Sequence, residues 1–158
     1  MPYLKDAGQR PRVEDGHGSC GSPRGDRKAT GKERLKQLAE LKAAALVTCE
    51  SCLDVGSALA AAHGITEKQM RDLPRFADSD AFSPDEKLVL EFAEAMSRTP
   101  AVVAGELRDR LLGRFSPAQV TELAATVAWE NNRGRLNQAL GVRPAEFSDG
   151  AMCAMPEP

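Results

Sequence analysis

Aromatic residues are scarce in this 158-residue chain: they make up 4% of it, with one Trp and one Tyr, which leaves little for a base-stacking or sugar-stacking face. Charge of one sign is lacking too, since 21 Lys and Arg against 23 Asp and Glu leave a net charge of -2, and a general nucleic-acid binder needs a basic excess. There are no long hydrophobic runs. Stretches such as Ala43 to Val47 and Ala58 to Ala62 fall far short of a bilayer span, so no membrane association is expected. Near the N-terminus Lys5, Asp6, Arg10, Arg12, Glu14 and Asp15 interrupt any apolar signal core, which makes the reducing cytoplasm the expected location. Alternating strand patterns of useful length are absent and β-branched residues are sparse, which points away from sheets.

What remains is an ordinary globular balance, 42% hydrophobic and 28% charged, in a chain long enough for one domain. Residues 1–31 hold Gly, Pro and scattered charge, with Val13 the sole β-branched aliphatic, and read as a disordered or loosely attached tail before a domain over 32–158. From Lys32 on, helix signals are dense. Leu35, Leu38, Leu41 and Ala45 recur at helical spacing and predict a helix from about Glu33 to Val47. A second runs from Cys49 to about His63 and stops at Gly64. Capping boxes at Thr66/Gln69, Ser83/Glu86 and Ser116/Gln119 open three more, the last reaching about Leu140, and Val102 to Leu112 reads as another, ended by Gly113. The expected fold is therefore an all-α bundle of about six helices. Its Ala-rich segments bury little area per residue, which favours a homo-oligomer.

The chain has four Cys, and in a reducing compartment they are reactive thiols, metal ligands or small buried hydrophobes sooner than a disulfide framework. Cys49-Glu50-Ser51-Cys52 falls at the predicted start of the second helix, with Thr48 as the expected N-cap. That spacing places both sulfurs on one helix face, one turn apart, where the unpaired N-H groups favour a thiolate. The motif thus supplies an attacking and a resolving thiol, while Glu50 and Asp54 oppose ionisation with negative charge. The alternative is a pair of small hydrophobes in an Ala-rich helix. A zinc set of His17, Cys20, Cys49 and Cys52 also has workable spacing, but His17 and Cys20 belong to the tail, so no metal is expected.

Several runs occur together: LVTCESCLDVGSALAAAHGIT, FSPDEKLVLEFAEAMSRTP, FSPAQVTELAATVAWENNRGRLNQALGV and FSDGAMC. In this order they resemble the carboxymuconolactone decarboxylase and alkylhydroperoxidase D (AhpD-like) superfamily, in the branch with a Cys-x-x-Cys-x-Asp-x-Gly signature, here Cys49, Cys52, Asp54 and Gly56. The resemblance spans about Glu33 to Cys153 and implies an all-helical trimer, hexamer or related assembly. It also implies that Cys52 attacks a hydroperoxide and Cys49 resolves the sulfenic acid as a disulfide. The family's peroxidases carry a Glu twelve residues before the first Cys and a His four after the second as a proton relay; here those positions hold Gln37 and Gly56, neither of which moves a proton. Gly56 is expected to leave space beside the thiol where that His would stand. His63 lies about three turns beyond Cys52, too far along the helix to serve it, and reads as an ordinary helix-end His. Substitutes are expected on the last helix, where Glu130, Asn131, Arg133, Arg135 and Asn137 form a polar cluster. Glu130 with Arg133, and Asn131 with Arg135, are placed to pair on one face, and one member of the cluster, from this chain or a neighbouring copy, is expected to reach the thiols and lower their pKa.

The leading functional expectation is a thiol peroxidase of alkylhydroperoxidase type that acts on a peroxide or other small organic molecule. It would be reduced by a dithiol donor, with Cys49 and Cys52 as its catalytic residues, Asp54, Gly56, Glu130 and Arg133 in support, and no cofactor. Two alternatives stand beside it: a carboxymuconolactone-decarboxylase-like lyase, against which the retained Cys pair counts, and a redox sensor or structural homologue, which the missing relay favours.

Overall fold

The computed structural model describes residues 31–148. The predicted tail, apart from Gly31, lies outside them, as do His17, Cys20 and Cys153. Among the described residues there are six α-helices and no strands: α1 (Gly31–Leu46), α2 (Glu50–Ala60), α3 (Glu67–Asp72), α4 (Pro84–Ser97), α5 (Gly105–Arg114) and α6 (Pro117–Ala139). All three predicted capping boxes form, at Thr66/Gln69, Ser83/Glu86 and Ser116/Gln119. Gly64 ends the second helical segment in the left-handed region at φ 71°, after a short 3-10 turn over Ala61–His63.

α1 is the central post, which explains its Ala-rich composition. One side packs Leu38, Leu41, Ala44 and Ala45 against Leu53 and Ala60 of α2 and against Ile65, Leu73, Phe76, Phe82 and Leu90. The other side sets Ala39 and Ala43 against Leu88, Val89, Phe92 and Ala93 of α4, Leu107 and Leu111 of α5, and Leu123 and Val127 of α6. Small residues on both faces let three helices approach the same post. Even Lys42 is buried there, its Nζ 3.1 Å from Glu94 Oε2 and 4.7 Å above the Phe76 ring.

Two predicted helix ends move. α5 begins at Gly105, three residues later than expected, and continues through Gly113 to Arg114. Its N-cap Ala104 has no capping side chain, so the sequence carries no start signal there. The N-cap of α2 is Cys49, not Thr48. Thr48 instead ends α1 in the left-handed region at φ 53°: Cys49 N bonds Ala44 O at 3.0 Å and Thr48 N bonds Ala45 O at 3.1 Å. This is a Schellman turn with a β-branched residue where Gly is usual, a costly conformation that its surroundings must hold. The holding comes from α6, where Gln138 Nε2 donates to Val47 O and, at 2.9 Å, to Thr48 Oγ1.

Candidate functional site

The turn from α1 into α2 places the dithiol. Because Thr48 reverses the chain within one residue, Cys49 becomes the cap of α2, and its Sγ accepts the backbone N-H of Cys52 at 3.3 Å. Cys49 and Cys52 stand at disulfide distance, their Cα atoms 5.2 Å apart. Both are buried, 2% and 3% exposed.

α6 closes over the pair. Asn137 Nδ2 lies 3.5 Å from Cys52 Sγ, 3.8 Å from Cys49 Sγ and 3.3 Å from Ser51 Oγ, so one amide faces both sulfurs. One turn earlier, Gly134 lets the helices meet: a Cβ there would stand 3.3 Å from Cys49 Cβ and 2.5 Å from Val47 Cγ2. A glycine inside a long helical pattern is the sequence signal for such an approach, and the sequence reading missed it. Beside the pair opens a pocket of about 310 Å³ lined by Cys49, Thr48, Glu50, Ser51, Asn137 and Arg143, among others.

The expected polar cluster on α6 divides into three. Asn137 reaches the sulfurs. Asn131 and Arg135 tie α6 to the end of α4: Asn131 Nδ2 donates to Ser97 Oγ at 2.9 Å, and Arg135 reaches Asn131 Oδ1 at 3.0 Å and Thr99 Oγ1 at 3.3 Å. Glu130 and Arg133 pair as expected. Glu130 is 1% exposed, and its Oε1 and the Arg133 Nε have no hydrogen-bond partner. Burial pushes the Glu130 carboxyl above its usual range, with the Arg133 charge opposing and the charge of Glu40 adding to the rise. Glu40 on α1 is likewise raised by burial, against the pull of Arg133, His63 and Lys36. The Nδ1 of His63 is buried without a partner.

Two supporting residues take roles other than those expected. No space stands open beside Gly56, because a Cβ there would lie 2.8 Å from Leu41 Cδ2 and 3.6 Å from Gln37 Nε2. Leu41 fills the room, and Gln37 Nε2 donates to Gly56 O at 3.3 Å. Asp54 is committed to the C-terminal segment, its carboxylate accepting the backbone N-H groups of Ala145 at 3.0 Å, Phe147 at 3.1 Å and Ser148 at 2.8 Å. Burial would raise its pKa, but these bonds, with Ser148 first among them, outweigh it and hold the group below the usual carboxylate range. Glu146, at φ 61°, makes the turn that lets the three amides converge.

A helical bundle whose second helix opens on a capped Cys-x-x-Cys, roofed by an amide from its last helix, defines a dithiol protein. Residues 26–95, which contain the pair, match the carboxymuconolactone decarboxylase family. It is 32% identical over 123 residues to the uncharacterized protein YnjA of Escherichia coli (strain K12), an alignment covering 78% of this chain and 65% of that protein. It is 27% identical over 111 residues to the uncharacterized protein YdfG of Bacillus subtilis (strain 168), covering 70% of this chain and 76% of the relative. The chain thus spans just under two thirds of the length of the first of these relatives. No solved structure matches it. Among the described residues no helix is long and apolar enough to cross a membrane.

Proposed function

We propose that the chain is a thiol-dependent oxidoreductase of alkylhydroperoxidase type, which reduces a hydroperoxide and closes an intramolecular disulfide between Cys49 and Cys52. The observation that carries this reading is the pair at disulfide distance under the Asn137 amide, beside a pocket open to a small molecule. One sulfur takes an oxygen from the peroxide as the O-O bond breaks and an alcohol leaves. The second displaces water from the sulfenic acid, and a dithiol donor then restores both thiols. Gln37 and Gly56 cannot supply proton movement, so the protons of the two thiols themselves leave with the alcohol and the water. The reading includes a homo-oligomer, in which the exposed outer stripe of α6, Trp129, Leu136 and Leu140, meets another copy.

The test is the rate at which the fully reduced protein consumes an organic hydroperoxide, with mass spectrometry locating the oxidised sulfurs. The expected result is rapid loss of peroxide with a Cys49-Cys52 disulfide, and no disulfide in Cys52→Ser. Inert thiols would overturn it. A redox sensor is the second reading, favoured by Leu41 filling the relay space at Gly56; it predicts a single oxidation event without turnover when a dithiol is supplied.

A further inference from the structure

Resting on the dithiol reading, we infer that Cys49, and not Cys52, is the attacking sulfur of the pair and the one at which the reductant enters. The family resemblance implies the opposite order, and three features of the site reverse it. Cys49 is the cap of α2, so its Sγ accepts the Cys52 N-H at 3.3 Å, directly at the positive end of the helix. A thiolate in that place gains a charge-assisted hydrogen bond that the Cys52 sulfur, one turn in, does not receive. The Ser51 hydroxyl also lies 3.5 Å from Cys49 Sγ, while the Asn137 amide faces both sulfurs, 3.8 Å from Cys49 and 3.5 Å from Cys52. Both residues are nearly closed off, Cys49 2% and Cys52 3% exposed, and it is Cys49 that borders the 310 Å³ pocket while Cys52 does not.

The charged groups around the pair fit this assignment. On α2, Glu50 is exposed and its charge is screened by water, and Asp54 is committed to the amides of 145, 147 and 148. On the α6 side, Arg143 lines the pocket and favours an anion there, and Glu130 lies one turn before Gly134 and is paired with Arg133. The adjoining end of α1, Val47 and Thr48, carries no charge.

Every step balances with Cys49 in this role. The Cys49 thiolate bonds to one peroxide oxygen, the O-O bond breaks, and the alcohol leaves with the proton Cys49 gave up. Cys52 then attacks Cys49 Sγ, its proton departing with the hydroxyl as water. In the return half, one thiolate of a dithiol attacks Cys49 Sγ and Cys52 leaves. The second thiol closes the donor's own disulfide and releases Cys49, so two electrons pass from donor to peroxide.

The test is the pH profile of iodoacetamide alkylation of the reduced full chain, read by mass in wild type, Cys49→Ser and Cys52→Ser. Cys52→Ser is expected to keep a thiol titrating below the ordinary value of about 8.5, alkylated about tenfold faster at pH 7 than the remaining pair thiol of Cys49→Ser. It is also expected to trap glutathione disulfide as a mixed disulfide on Cys49. Asn137→Ala should shift the Cys49 titration upward. The reverse order, with the low-pKa thiol surviving in Cys49→Ser, would overturn the assignment. Partial alkylation of reduced wild type, located by fragmentation, decides the same point should either variant misfold. The alkylation arms involve no peroxide, so an inactive peroxidase with a reactive Cys49 removes the proposed function alone, and an active one whose low-pKa thiol is Cys52 removes this assignment alone.

Discussion

At the scale of single residues, Gly56 stands where the resemblance implies a proton-relay His. Its place is filled by Leu41, so putting back the family's His would force a ring into the core beneath α1. Gly56→His is expected to cost about 1–3 kcal/mol in chemical denaturation, as overpacked cores do, and to leave peroxide consumption no faster. A gain in rate would mean that Leu41 yields and that a His at this position can serve the thiols. Glu130 carries a different prediction. Its carboxyl is raised by burial, so the charged form opposes folding: the group contributes nothing below its unfolded pKa and costs stability as pH rises through the folded one. Glu130→Gln removes that cost. The melting temperature of the variant relative to wild type should therefore climb between pH 4 and pH 8, and a flat difference would show that Arg133 fully compensates the charge.

At the scale of elements, the site depends on two joints that hold helix ends together. The first is the Thr48 turn, where a left-handed β-branched residue makes Cys49 a cap and Gln138 of α6 secures the reversal. The second is Asp54, which binds the segment after α6 to the flank of α2 through three amides. Asp54→Ala leaves those amides without an acceptor, so hydrogen exchange at Ala145, Phe147 and Ser148 should lose protection while the α1 core keeps its own. Because the folded pKa of Asp54 is depressed, its contribution is present above the unfolded value of about 3.9 and fades as pH falls through the folded one. The same three amides should accordingly lose protection on acidification before the core opens.

For the whole molecule, the question is what covers α6. Trp129 is 64% exposed and Leu140 70%, with Leu136 between them on the same stripe, a costly surface for an isolated domain. In light scattering, wild type is expected at the mass of a trimer or hexamer and Trp129→Asp with Leu140→Asp at a lower one. A wild-type monomer would remove the assembly from the proposed function. Since α6 also supplies Asn137 and Gly134 to the dithiol, losing the assembly should slow alkylation of the thiols as well.

The sequence by itself determined the helical class, the three capping boxes, the stop at Gly64 and the identity of the dithiol, because each is written in neighbours within one or two turns. The pairing of Glu130 with Arg133 was legible for the same reason, being one turn apart on one helix. Only the tertiary structure decided which member of the α6 cluster meets the sulfurs, since Asn137 and Cys52 are separated by 85 positions and meet through the crossing at Gly134. It also decided that Leu41 occupies the place beside Gly56, and that Asp54 serves the C-terminal segment rather than the thiols. The cap of α2 turned on Thr48, a residue whose local preference points the other way and which the contact with Gln138 overrides. Local hydrogen bonding can be read along the chain, whereas the filling of space between helices depends on residues that only folding brings together.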